Sequence, residues 1–407
     1  MGQPSRRRTL AVLALSTGVH MLATLQVFTV PAIAPAMAAG LGVSESLVGV
    51  QVLLVYATAM ITSLFAGSLV VRLGALRATQ LSVVGAAVAL TIAAIPSVPV
   101  VVIASVMLGA SYGLINPATG QMLESAAPPA RRTLLFSIKQ SAVPFGGILA
   151  GVIGPFVTVA VGWQAALLTI AATSVVIALL VETSRRWFPH RRRQSDSGTA
   201  PRLLRDVAVI WTVPALRYTC LAAGAFAGVQ LVLTTYLVTL LVQHVGIGLI
   251  AAGIGLSLFN GGGIFGRFGW GFLADALSSG LRVLASVFGI ALLFLAVFPF
   301  IRADWSIPLI YAFVTALGIA AAGTQGVFLG EVLSLAPRDE SARAIAGAYA
   351  FTFAGALTGV GCFVLGFQML DSYSATTWIV TAMAAAGFLL ALKGLAISRR
   401  SGHAALS

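Results

Sequence analysis

Apolar residues run along the chain in long unbroken stretches rich in Leu, Val, Ala and Gly, separated by short polar connections. A helix that crosses a bilayer needs roughly 20 mostly apolar residues, and a dozen stretches are of that kind. Six lie at approximately 10–37, 46–71, 79–95, 100–123, 134–159 and 164–181, and six more at 215–242, 248–274, 283–300, 307–333, 344–370 and 375–397. The period-2 alternation of a transmembrane barrel is absent. Only helices and closed barrels satisfy their own backbone in lipid, so the predicted fold is an all-α membrane protein with 12 transmembrane helices in two six-helix halves.

Composition narrows the class. Of 407 residues, 59% are hydrophobic and 9% charged, and the mean hydropathy of +1.00 excludes a soluble globular enzyme. A net charge of +13, from 24 Lys+Arg against 11 Asp+Glu, would point to nucleic acid in a soluble protein. Here no basic stretch is interleaved with aromatics that could stack bases, and the basic residues flank the apolar stretches, so the expected partner is the lipid bilayer. With the N-terminus inside, Arg6 to Arg8, Arg72, Arg77, Arg131, Arg132, the arginines of the central connection, Arg282, Arg338, Arg343, Arg399 and Arg400 fall on one side, and only Arg302 falls on the other. That bias predicts a multi-pass protein of the cytoplasmic (inner) membrane with both termini cytoplasmic. The first stretch exceeds the 7–15 apolar residues of a signal peptide and is read as a span. Cys220 and Cys362 lie in apolar runs and read as small core residues.

The domain reading is an N-terminal six-helix half over 1–181, a cytoplasmic basic linker over 182–214 acting as a tether, and a C-terminal six-helix half over 215–407. The halves repeat. Gly67-Ser-Leu-Val-Val-Arg-Leu-Gly-Ala-Leu-Arg77 after the second stretch corresponds to Gly271-Phe-Leu-Ala-Asp-Ala-Leu-Ser-Ser-Gly-Leu-Arg282 after the eighth. Glu124 with Pro128, Pro129, Arg131 and Arg132 corresponds to Glu331 with Pro337, Arg338 and Arg343. Two like-oriented halves are what a parallel internal repeat predicts.

Over nearly its whole length the sequence resembles the major facilitator superfamily (MFS), whose signature after the second span has the form Gly-x-x-x-Asp-Arg-x-Gly-Arg-Arg. Gly67, Arg72, Gly74 and Arg77 match the first copy, with Val71 in place of the acid. Gly271 and Asp275, preceded by Gly266-Arg267, match the second copy, which loses the paired arginines. The resemblance implies two pseudo-symmetric halves and a charge lock at the cytoplasmic rim, in which Asp275 pairs with Arg267, Arg282 or Arg343. Drug antiporters of the family carry an Arg where this chain, aligned on Gly109, has Ser105, which argues against that branch. Gly146, Gly147, Gly151, Gly154 and Pro155 match the antiporter glycine signature in part, and close helix packing is the commoner reason for such glycines.

In such a fold the first, fourth, seventh and tenth spans line a cavity that holds substrate near the midplane, where polar residues are costly and face inward. Ser16, His20 and Thr24 recur every four residues on the first span, with His20 about ten residues, or ~15 Å, from the inner end. A histidine there either serves substrate or proton or is a neutral ring satisfied by a neighbouring helix. Tyr112 and Asn116 share a face of the fourth span, Gln230 and Thr234 one of the seventh, and Tyr311 and Gln325 one of the tenth. On the fifth span Lys139 and Gln140 lie about two turns in, and Lys139 either attracts an anion or snorkels to the interface, the latter favoured. Asn260 precedes Gly261 to Gly263, a run that bends the eighth span or brings its backbone near a ligand.

No acid lies near mid-membrane, and Glu124, Asp275 and Glu331 stand at the rim, the two glutamates paired with rim arginines. The predicted function is a secondary active transporter of a small neutral or anionic organic solute working by alternating access, with or without a proton. A multidrug or metabolite efflux antiporter and a non-transporting membrane sensor are the alternatives. An enzyme is disfavoured, since His20, His190, His244 and His403 form no His-x-x-x-His pair and no phosphate loop is present. No cofactor, metal or nucleic-acid partner is expected, and the oligomeric expectation is a monomer.

Overall fold

The computed structural model describes residues 6–126, 128, 132–185, 200–277, 279–302, 304–337 and 340–404. Pro129, Arg131, Arg338 and residues 186–199 of the expected tether, His190 among them, lie outside the described residues. Among those described, twelve helices are long and apolar enough to cross a membrane. The described residues form two compact units, one drawn from 6–185 with 248–257 and the other from 200–247 with 258–404.

The first unit contains α1 (Arg6–Leu41), α2 (Val48–Leu73), α3 (Ala75–Ala93), α4 (Val98–Glu124), α5 (Arg132–Gln140), α6 (Ala142–Val161) and α7 (Trp163–Glu182). Helix α4 packs on α1, α2 and α3, and α6 packs on α1. Two connections are reduced to one residue. Gly74 (φ 84°) joins α2 to α3 and Gly162 (φ 111°) joins α6 to α7, positions at which a Cβ would be strained. The fifth span, expected as one rod, is interrupted at a single residue, Ser141, whose backbone stays in the right-handed helical region. Pro144 has no N–H to offer the Gln140 carbonyl, α5 ends at Gln140, and the Ser141 hydroxyl turns back to the Ile138 carbonyl at 2.6 Å.

The second unit contains α8 (Ala200–Thr212), α9 (Pro214–Gln243), α10 (Leu249–Ala276, of which the part up to Ser257 belongs with the first unit), α11 (Gly280–Val297), α12 (Ile307–Ala322), α13 (Gln325–Leu335), α14 (Ser341–Leu370) and α15 (Tyr373–Ala404). Helix α9 packs on α14 and α15, and α11 on α15. Part of the segment expected to be a tether is helical, since α8 spans Ala200–Thr212 and buries Val209 and Ile210. The tenth span is also divided, at Gly323 and Thr324. The break frees the Ile319 carbonyl, and Trp270 of α10 donates Nε1–H to it at 2.8 Å. Cys220 is buried as expected, whereas Cys362 is exposed on α14 and is not a core residue.

Neighbouring helices touch main chain to main chain. A Cβ at Gly355 of α14 would collide with the Gly224 backbone of α9, and one at Gly318 of α12 with the Phe259 carbonyl of α10. Helix α10 continues unbroken through the run Gly261 to Gly263, and Gly262 and Gly266 lie against the Thr315 and Ile319 carbonyls. We expect Gly355→Ala to destabilise the protein by about 1–3 kcal/mol through overpacking. Gly361→Ala on the same helix, with open space around it, should be neutral or stabilising, and thermal unfolding in detergent compares the two.

Candidate functional site

The first unit gathers a polar cluster inside its bundle. Ser16, His20 and Thr24 are fully buried, and the four-residue spacing on an unbroken α1 sends them in one direction. The Thr24 hydroxyl donates to the His20 carbonyl at 3.1 Å. Tyr112 of α4 hydrogen-bonds Thr24, and its ring lies 6.0 Å from that of Tyr56 on α2. Lys139 of α5 is 2% exposed, and its Nζ donates to Asn116 Oδ1 of α4 at 3.0 Å. The Lys139 charge acts directly on His20. Gln140 is half-buried beside it in sequence.

Glycines bring these helices together. A Cβ at Gly146 of α6 would fall against the Met21 carbonyl and Thr24 Cβ of α1, and Cβ atoms at Gly109 and Gly113 of α4 against the Val55 and Ala59 carbonyls of α2. Lys139 therefore does not snorkel. Its ammonium meets an amide oxygen inside the bundle, which compensates part of its lost hydration. Buried polar groups are normally hydrogen-bonded, yet among the described residues Ser16 Oγ and both ring nitrogens of His20 have no such partner. The acids of residues 1–185 are Glu45, Glu124 and Glu182, all at helix ends. The cluster is thus one cation with neutral donors and acceptors and no carboxylate.

The sequence profile of the Major Facilitator Superfamily matches residues 16–360. The chain belongs to the major facilitator superfamily. Among solved structures it is similar to a bacterial homolog of the human lysosomal transporter Spinster in an inward-facing, unoccupied conformation, at 15% identity and a TM-score of 0.73, covering 97% of this chain and 99% of that one. It is also similar to a point mutant of the peptide transporter POT in complex with sulfate, at 15% identity and a TM-score of 0.73, covering 96% of this chain and 95% of that one. A search of curated proteins returned no match in sequence.

The superfamily signature is built differently in the two units. Gly67 lies within α2 with open space at its Cα, Arg72 is exposed at the end of that helix, and Gly74 makes the single-residue turn. The last signature arginine, Arg77, meets Glu182 at the end of α7. That carboxylate takes Arg77 at 2.9 Å, Gln80 Nε2 at 2.8 Å and Arg185 at 3.4 Å. In the second copy Gly271 lies within α10, also with open space, and Arg267 is half-buried. The lock expected at Asp275 is not formed, since Asp275 is exposed without an ion pair among the described residues and Arg343 turns to Glu340 at 3.4 Å. Glu331, expected to meet a rim arginine, instead accepts the backbone N–H groups of Gly280 and Leu281 at the start of α11, where an anion is favoured by the helix dipole.

The remaining residues singled out in sequence lie in the second unit. Thr234 is buried and donates to the Gln230 carbonyl of its own helix at 2.9 Å. Asn260 is buried, while Gln230, Tyr311 and Gln325 are half-buried. Gln325 opens α13 immediately after the break in the tenth span. Sequence reasoning passed over Gln26, whose Nε2 donates to Ser174 Oγ at 2.8 Å and to the Val83 carbonyl at 3.3 Å, tying α1 to α7 and α3. Its polarity in a mid-span position was the available signal.

Removing the acceptor from a buried charge is costly, so Asn116→Leu should destabilise by about 1–3 kcal/mol, and adding Lys139→Met should recover much of that loss in thermal unfolding. Glu331→Ala should cost about 1 kcal/mol as a lost helix cap, while Glu331→Gln, which keeps an acceptor oxygen, should retain most of it.

Proposed function

We propose that the chain is a secondary active transporter that moves a small neutral or anionic organic solute across the cytoplasmic membrane by alternating access. Membership of a transporter superfamily supports the transport activity. The solute class rests on one observation, the buried Lys139–Asn116 pair beside an unpartnered His20 with no carboxylate on the same helix faces. A buried ammonium without a counter-ion is stabilised by an anionic or strongly hydrogen-bonding guest. A cationic guest would meet like charge. In this reading His20, Ser16 and Lys139 contact the solute, Asn116 and Thr24 orient their neighbours, and Tyr112 and Tyr56 form an aromatic wall. Within the second unit, Gln230, Thr234, Asn260, Tyr311 and Gln325 on α9, α10, α12 and α13 are the polar candidates for solute contact. The distribution of basic residues supports cytoplasmic termini.

The experiment is a thermal-shift screen of the detergent-purified protein against small carboxylates, sugars, neutral amides and organic amines. A ligand bound only to the native state at a hundredfold excess over Kd adds about 2.7 kcal/mol of stability. A carboxylate or neutral compound should raise the melting temperature of the wild type and lose that effect in His20→Ala and Lys139→Met. The same compound should drive counterflow in proteoliposomes, and that flux should drop at least tenfold in both variants. An amine that stabilises the wild type and still stabilises Lys139→Met would overturn the assignment.

A further inference from the structure

Basic residues near helix ends differ in what faces them. Arg77 and Arg185 share Glu182, Arg302 lies 3.8 Å from Asp304, and Arg343 meets Glu340. Arg217 and Lys393 have no carboxylate partner among the described residues. Both lie against one aromatic ring instead, Arg217 Cζ at 5.0 Å and Lys393 Nζ at 4.7 Å from the centroid of Tyr218. Both also engage the Tyr218 hydroxyl. Arg217 stands in addition 5.5 Å from the ring of Trp211. A ring attracts a nearby cation but neutralises none of its charge, so two like charges are held together with nothing of opposite sign between them.

The arrangement is fixed by helix packing. Gly394 follows Lys393 and faces α9, where a Cβ would make ordinary contact with Tyr218 Cβ at 3.4 Å. Arg217 and Tyr218 occupy the first turns of α9, which begins at Pro214. Lys393 is near the end of a span that closes at Arg399, and a long side chain in that position reaches the interface. Helix α8 leads into the cluster with Val209 and Ile210 buried, Trp211 52% exposed and the Asp206 carbonyl against Gly347 of α14. A short helix with one buried face and an exposed indole next to a span is the pattern of an element lying at headgroup depth. Asp206, the acid nearest in sequence, makes no ion pair with either cation among the described residues.

We propose that Arg217, Lys393, Tyr218 and Trp211 form a binding site for the phosphodiester of an anionic phospholipid. The guanidinium and ammonium take the phosphate oxygens in charge-assisted hydrogen bonds, the Tyr218 hydroxyl adds a third donor, and the Trp211 ring rests where headgroup meets acyl chain. Free phosphate shares the first part of this chemistry, but the exposed indole and the interfacial helix favour a lipid.

The test mixes the detergent-purified full chain with equal amounts of phosphatidylglycerol and phosphatidylcholine and reads retained lipid by native mass spectrometry. Two basic residues near the surface should give phosphatidylglycerol a preference of tenfold or more, on the order of several-fold from each cation. The Arg217→Gln/Lys393→Gln variant should lose that preference, and the charge-keeping Arg217→Lys/Lys393→Arg variant should keep it. Where the neutral double variant fails to fold, Lys393→Gln alone, at an exposed position, should lower the preference several-fold. Equal retention of both lipids by the wild type, or an undiminished preference in the neutral variants, overturns the proposal. So does displacement of phosphatidylglycerol by inorganic phosphate at equal concentration, which would make the site one for a free anion.

Discussion

An apolar helix in a bilayer gains nothing by exchanging lipid tails for another apolar helix, so a bundle is held by close fit and by polar contacts. The fit here is backbone on backbone. Gly109 and Gly113 seat α4 on carbonyls of α2, Gly146 seats α6 on α1, and Gly224 and Gly355 seat α9 and α14 on each other. The polar cluster depends on those distances. Thr24, which Gly146 touches, bonds back to His20 and to Tyr112, and the same helix α4 that glycines press against α2 carries the Asn116 that accepts from Lys139.

Lys139 concentrates the opposing forces. Burying an ammonium is expensive, and a single amide oxygen at 3.0 Å repays only part of the lost hydration. Ionisable residues inside a membrane bundle are rare and face its interior, as Lys139 does here. The unpartnered His20 ring and Ser16 hydroxyl on the facing stripe belong to the same account. By contrast, where the chain needs only to fasten helix ends, it uses contacts of ordinary kinds, such as Arg77 with Glu182 and Glu331 on the N-terminus of α11.

Twelve spans were legible because length and continuous apolarity are properties of a single segment. The breaks at Ser141 and at Gly323 were not, although Pro144 stood in view, because a helix broken in lipid must find new partners for the freed main-chain groups, and those partners lie on other segments. The indole of Trp270 on the Ile319 carbonyl is such a partner. The stripe of Ser16, His20 and Thr24 was readable from its period. The sequence favours snorkelling for Lys139 because it carries depth alone, while the orientation of α5 and the acceptor on α4 belong to the fold. Glu182 was unremarkable in sequence, since its use arises only where α7 and α3 bring their charged residues side by side.

The division of the tenth span lets one segment serve two neighbours. The Ile319 carbonyl is satisfied from α10 by the Trp270 indole, and Gly323 rests against the Gly266 backbone of the same helix. Just beyond the joint, α13 carries Glu331, which accepts the first amide N–H groups of α11, so a main-chain acceptor for the eighth span and a side-chain cap for the ninth stand on either side of one interruption.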